Sequence, residues 1–212
     1  MPETEIPPVL RGDIYYLKYV LTKLGKSNII YNERVHKKPK GTNMPKIIEN
    51  VREQLLTEAK RQIMEYGYAN TTVRSVASAC NLGVGTVYNY FKSKDMLIAS
   101  FMADDWHESL AKMKQTGTEN KELFFRCIYS SLLEFAEKHS SLFSDTDAAK
   151  VFAIAFAERH KVLRDQIAEI IFPLCNHSRG EFLSQFIAES LLTWTMAEKS
   201  FEEIYSIVHL LL

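Results

Sequence analysis

The feature that most restricts this chain is how seldom a helix could be interrupted along it. Its 212 residues include only 8 glycines and 6 prolines, and the stretch from Thr118 to Phe172 carries neither. Glycine and proline are the residues that break helices, so their scarcity favours helix throughout. The second half divides into helical stretches at roughly 119–138, 146–158, 160–174, 180–197 and 200–212, with breaks at Ser140-Ser141, Pro173 and Arg179-Gly180. No segment alternates at period two for more than a few residues. The expected fold class is all-α.

Composition narrows the setting. A hydrophobic share of 46% with 25% charged residues suits a soluble globular chain large enough for one sizeable core or two small ones. No run reaches the roughly 18 apolar residues that a membrane span needs. The segment Ile14 to Leu24 is a poor signal peptide, because Glu3 and Glu5 precede it and Lys18 and Lys23 interrupt it. The expected location is the cytoplasm. Cys80, Cys127 and Cys175 are odd in number, far apart and free of any CxxC. They read as free thiols in a reducing compartment, with no disulfide framework and no metal site.

The net charge of zero conceals an asymmetry. Residues 1–100 hold 15 Lys+Arg against 9 Asp+Glu, a balance of +6, and residues 101–212 hold 11 against 17, a balance of −6. A basic first half points to an anionic partner, of which nucleic acid is the usual one.

Residues 1–43 differ from the rest. Pro7-Pro8, Gly12, Gly25 and the run Lys37-Lys38-Pro39-Lys40-Gly41 leave no room for a long helix. This extension reads as a basic arm on DNA phosphates, as a disordered tail, or as the product of a start codon assigned too early, with Met44 the true start. From Met44 the pattern changes. Asn43 suits an N-cap, Pro45 a first turn, and Ile48, Val51, Leu55, Ala59 and Ile63 repeat along one apolar face until Gly67.

The segment Thr71 to Phe91 carries the functional reading. Two short helices, Val73 to about Ala79 and Val84 to Phe91, flank a tight turn at Asn81 and Gly83. Val73, Val76, Ala77, Leu82, Val87 and Phe91 supply apolar contacts, and Asn81 tolerates the left-handed backbone that such a turn needs. These are the requirements of a helix-turn-helix. Its second helix offers Gly85, Thr86, Tyr88, Asn89 and Tyr90 to a major groove. Ser93 then caps a longer helix from Lys94 to about Lys114.

These residues resemble the TetR/AcrR family of transcriptional regulators. The resemblance rests on Gly67, on T-V-x-x-V-A from Thr72 to Ala77, and on G-T-V-Y-N-Y-F-K-S-K-D-M-L from Gly85 to Leu97, and it covers about residues 44–110. It departs from the usual pattern at Asn81, where the family has glycine, and at Gly83, where it often has a hydroxyl cap. The resemblance implies a DNA-binding domain at 44–98 and a helical ligand-binding and dimerisation bundle at 99–212. It further implies a homodimer on a palindromic operator in double-stranded DNA, with repression lifted by a small hydrophobic effector. It places Thr71 or Thr72 at phosphate, Gly85 at close backbone approach, Thr86 and Tyr88 toward bases, and Tyr90 and Lys94 at phosphates. Asn89 is suited to an adenine edge, Phe91 to the core, and Tyr88 to either core or groove.

Beyond residue 110 the reading is compositional. Phe124, Tyr129, Phe152, Phe156 and Trp194 are the candidate aromatic lining of an effector pocket, with Arg126, Glu134, Arg159, Glu189 and Glu198 as candidate polar groups. Phe182, Phe186, Ala188, Leu191, Leu192 and Thr195, followed by Ile204, Ile207, Val208, Leu211 and Leu212, form the candidate dimer seam of a four-helix bundle, or else close the subunit's own core. There is no HExxH, GxSxG, P-loop or GxGxxG, so neither catalysis nor a cofactor is expected. The other readings are a protein partner in place of the small ligand, and a helical ligand-handling protein.

Overall fold

The computed structural model describes residues 50–175 and 179–212, with side chains throughout except at residues 143, 147 and 149–159. The expected extension at 1–43 and the Asn43 and Pro45 helix start lie outside the described residues. The fold is all-α, a helix-turn-helix head and a helical C-terminal domain, with no strand among the described residues. Its helices are α1 (Val51–Asn70), α2 (Val73–Ala79), α3 (Val84–Tyr90), α4 (Lys94–Gln115), α5 (Lys121–Lys138), α6 (Ser140–Ser144), α7 (Thr146–Ile171), α8 (Gly180–Met196) and α9 (Phe201–Val208). Two compact units divide them. One takes the described residues up to Gln62 together with Thr71–Ser100, and the other takes Ile63–Asn70 with Phe101–Leu212.

In the first unit, Val51, Leu55, Leu56 and Ala59 of α1 are buried at the spacing of one helical face. So are Val73, Val76 and Ala77 of α2, Val87 of α3, Phe91, and Met96 to Ala99 of α4. Ser93 caps α4 as its sequence suggests, its hydroxyl accepting from the Met96 amide at 3.1 Å.

Gly67 interrupts α1 with φ 78° and ψ 172°. That combination is open to glycine alone. A Cβ placed there would meet nothing within 4 Å, so alanine would be strained by backbone conformation only. Gly67→Ala is therefore expected to cost about 1–3 kcal/mol, read from chemical unfolding. An unchanged midpoint would mean that the segment reaches another conformation at no cost.

The second unit is built on one core. Trp106, Leu110 and Met113 of α4 meet Phe124, Phe125, Ile128 and Leu132 of α5 there, with Ile167, Ala168 and Ile171 of α7. Ile187, Ala188, Leu191 and Leu192 of α8 and Phe201, Ile204 and Val208 of α9 close it. The Trp106 indole donates to the Gln166 side chain at 2.8 Å, which satisfies its one polar group. The Arg126 guanidinium stands 3.9 Å above the Phe201 ring and pairs with Glu122 and Glu202, joining α5 to α9.

Two sequence expectations change here. The helices expected at 146–158 and 160–174 are one helix, Thr146–Ile171, running into a 3-10 turn at Phe172–Leu174. The polar triplet Glu158-Arg159-His160 resembles a boundary, yet it contains no residue that breaks a helix. The last helix ends at Val208 and tightens into a 3-10 turn at His209–Leu211. Its start is firm: Ser200 and Glu203 form a reciprocal capping box.

Candidate DNA-binding site

Thr72 is the N-cap of α2. Its Oγ1 accepts from the Ser75 amide at 2.9 Å, and its own amide donates to Ser75 Oγ at 3.0 Å. The helix ends at Cys80, whose amide reaches the Val76 carbonyl at 3.1 Å. Asn81 then turns the chain with φ 55°, the left-handed conformation that asparagine tolerates best among non-glycine residues. The Leu82 amide donates to the Ala77 carbonyl at 2.8 Å and closes the turn. Gly83 caps α3 from an extended conformation without a side-chain bond.

On α3 the burial pattern separates bracing from display. Val87 and the following Phe91 are buried, at 0% and 5% exposure. Gly85, Tyr88, Asn89 and Tyr90 are exposed and Thr86 is half-buried. Tyr88, which the sequence leaves between core and groove, is 45% exposed. A Cβ on Gly85 would meet nothing within 4 Å, so no packing within the protein demands glycine there. Thr71 and Thr72 part company: Thr71 is buried and Thr72 exposed. Lys94, half-buried, opens α4. The structure thus collects Thr72, Gly85, Thr86, Tyr88, Asn89, Tyr90 and Lys94 on three consecutive helices of one unit.

Sequence reading missed four residues of this unit. Arg74 on α2 and Lys92 after α3 are exposed cations on the same elements, and Lys92 Nζ donates to the Tyr88 carbonyl at 3.3 Å. Ser75 completes the cap of α2. Gln62 of α1 is buried at 4% exposure. Its signal was available, since it stands seven residues after Leu55, on the apolar face.

In the second unit the candidate effector residues do different things. Phe124 is buried in the core, edge-to-face on Phe125 at 5.3 Å. The Tyr129 hydroxyl donates to the Lys199 carbonyl at 3.0 Å. Trp194 lines an open cavity of about 440 Å³ with Lys199, Glu203, Ile204, Ser206 and Ile207. The side chains of Phe152, Phe156 and Arg159 lie outside the described residues. Arg126, Glu134 and Glu189 are paired with Glu122, Lys112 and His160 respectively, and Glu198 holds a left-handed φ of 59° after α8.

The expected dimer face divides by burial. Ala188, Leu191, Leu192 and Thr195 are buried, because α8 packs on α5 and α7. Phe182 and Phe186 are exposed at 70% and 47%, stacked at 6.4 Å. Ile204 and Val208 are buried likewise, while Ile207 and Leu210 are exposed. All three cysteines are free, no helix among the described residues is long and apolar enough to cross a membrane, and no described cluster could hold a metal.

Residues 55–101 match the family model described as bacterial regulatory proteins, tetR family. The HTH-type transcriptional repressor Rv1474c of Mycobacterium tuberculosis is 32% identical over 78 residues, 35% of this chain and 42% of that protein. The HTH-type transcriptional regulator UidR of Escherichia coli K12 is 26% identical over 73 residues, 34% of this chain and 37% of that protein. The matches thus span about two fifths of these relatives' length. A crystal structure of a TetR-family transcriptional regulator from Pectobacterium atrosepticum superposes with a TM-score of 0.56 at 22% identity, covering 76% of this chain and 91% of the other. A regulator from Aquifex aeolicus gives 0.52 at 18% identity, covering 74% and 94%. At these identities the structural likeness speaks to fold.

Proposed function

We propose that this chain, which belongs to the TetR/AcrR family of bacterial regulators, is a DNA-binding transcriptional regulator that represses from a palindromic or near-palindromic operator as a homodimer. The observation that carries the reading is α3. It is seven residues long, braced by buried Val87 and Phe91, and it turns Gly85, Tyr88, Asn89 and Tyr90 to solvent. A short helix so displayed fits the major groove, where Asn89 suits an adenine edge and Thr86 a thymine methyl. Thr72, Tyr90 and Lys94 supply donors for phosphates. The head spans 44–98 and the ligand-binding and dimerisation domain 99–212, in the cytoplasm. The protein acts by binding rather than by catalysis.

The effector we infer is a small apolar or aromatic molecule taken up by the second unit, where Tyr129 and Trp194 are the half-buried candidates. Binding that favours wrongly spaced heads weakens operator affinity, and by linkage the operator weakens effector binding by the same factor. Screening apolar compounds for thermal stabilisation, then titrating the hits against the operator complex, tests this. Hits that stabilise the protein without changing operator affinity remove the switch from the proposal.

Selecting bound fragments from genomic DNA, followed by footprinting, tests the DNA reading. Recovery of sites with two matched half-sites is the expected result, and a monomer with no preference over random DNA overturns it. On the recovered operator, Lys94→Ala is expected to weaken binding to all sequences and to lower the salt slope by about one unit. Asn89→Ala and Thr86→Ala are expected to lose about 1–3 kcal/mol on the operator and much less on random DNA. Equal losses on both would make these two residues positioning contacts only.

A further inference from the structure

Gln62 occupies a place on α1 where packing alone calls for an aliphatic side chain. It falls seven residues after Leu55 and three after Ala59, both fully buried, and is itself 4% exposed. A buried amide is costly unless each polar atom is bonded. Both are. Gln62 Nε2 donates to Glu58 Oε1 at 2.7 Å, and Gln62 Oε1 accepts from Ser75 Oγ at 2.6 Å. Glu58 is in turn gripped by Arg61 through two contacts of 2.6 and 2.9 Å. That guanidinium, above all, holds the Glu58 carboxyl below the usual carboxylate range, so the group is ionised and can only accept hydrogen bonds.

An acceptor at one end gives the whole chain a direction. The amide must turn its NH2 to Glu58 and therefore its oxygen to Ser75. The Ser75 hydroxyl then gives its one hydrogen to Gln62, a shorter contact than its alternative, the Thr72 carbonyl at 2.9 Å. Its lone pairs receive the Thr72 amide at 3.0 Å. Thr72 Oγ1 is occupied as an acceptor by the Ser75 amide at 2.9 Å. That bond comes from a backbone N–H three residues away and holds whichever way the Gln62 amide turns; it leaves Thr72 its hydroxyl hydrogen and one lone pair, on an exposed side chain. A phosphate oxygen needs such a donor.

We propose that Gln62 is the positioning residue of the DNA-reading pair: it ties the cap of α2 to α1 and presents the Thr72 hydroxyl as an outward donor to the DNA backbone. This rests on the DNA-binding reading above. Gln62 touches no DNA itself. It works through Ser75 and Thr72, and Arg61 and Glu58 hold it in its one useful orientation.

A double-mutant cycle on the recovered operator duplex tests it, with Gln62→Leu, Thr72→Val and the pair together, well below the unfolding temperature. Each single variant is expected to weaken operator binding about tenfold, and the double no more than about tenfold, because the second change removes an interaction already lost. The slope of affinity against salt is expected to stay at the wild-type value in all three, since a hydroxyl releases no counterion. Additive losses of about a hundredfold overturn the proposal, as does a lowered slope, which would mean that Gln62 merely holds the head together. Ser75→Ala, which removes only a half-buried hydroxyl, repeats the cycle if Gln62→Leu fails to fold, with the same non-additivity expected and the same additivity overturning. Wild-type protein that retains no DNA fragment overturns the DNA reading itself, whereas wild-type binding with an additive cycle overturns only the role of Gln62.

Discussion

On the proposed homodimer with α8 in its seam, Phe186→Glu is expected to leave each subunit folded, to convert the dimer into monomers, and to weaken operator binding by about a hundredfold or more. Phe186 is 47% exposed and stacks on Phe182, which is 70% exposed. Ile207 and Leu210 are uncovered as well, at 47% and 81%. The Phe186 ring is half uncovered and its aromatic neighbour is itself exposed, so the subunit loses far less than it would at a core position. A carboxylate inside an apolar seam has no partner and opposes association. Two half-sites held by one rigid dimer bind as a linked pair, an advantage on the order of 10²–10⁴ that separate monomers forfeit. Sedimentation equilibrium and operator titration of the same preparation check both halves. A variant that stays dimeric with unchanged operator affinity would move the seam away from α8.

Phe124→Ala carries the largest expected loss of stability, about 3–5 kcal/mol. The ring is 1% exposed, set edge-to-face on Phe125 in the core that α5 shares with α7, α8 and α9. Removing it deletes the transfer energy of a phenyl group and leaves a cavity that its neighbours fill only in part. Single domains are stable by roughly 5–15 kcal/mol in all, so the variant should unfold at a much lower denaturant concentration. The same measurement bears on the effector. A loss below about 1 kcal/mol would place Phe124 at the wall of a hollow rather than in packed core, and would strengthen its assignment to a binding pocket.

The recognition segment was legible because its demands are local. A tight turn needs a left-handed residue, and Asn81 has φ 55°. A helix start needs a cap, and Thr72 and Ser93 provide them for α2 and α4. Of the bracing positions, Val73, Val76, Ala77, Val87 and Phe91 are buried and Leu82 is half-buried. The break read at residue 159 failed for the complementary reason. A charged triplet interrupts the apolar pattern without interrupting the backbone, and α7 continues through it to Ile171.

Two kinds of information came only with tertiary structure. One is the division of a broad apolar stripe. Phe186 and Leu191 stand on the same helix and are alike in sequence terms, and only the packing of α8 on α5 and α7 decides that Leu191 is buried and Phe186 exposed. The other is the direction of a hydrogen-bond chain. Gln62 stands out in the sequence only as a polar residue on an apolar face, and nothing there links it to Glu58 or Ser75. Across 13 residues of chain the fold brings Gln62 and Ser75 to 2.6 Å, and the carboxylate then orients the Gln62 amide and the Ser75 hydroxyl. By itself the sequence determined helicity, the turn, the caps and the family resemblance, since each depends on residues within a few positions of one another. Which of two equivalent apolar faces is covered, and which way the Gln62 amide and the Ser75 hydroxyl point, depends on distant segments meeting, and that the tertiary structure alone decided.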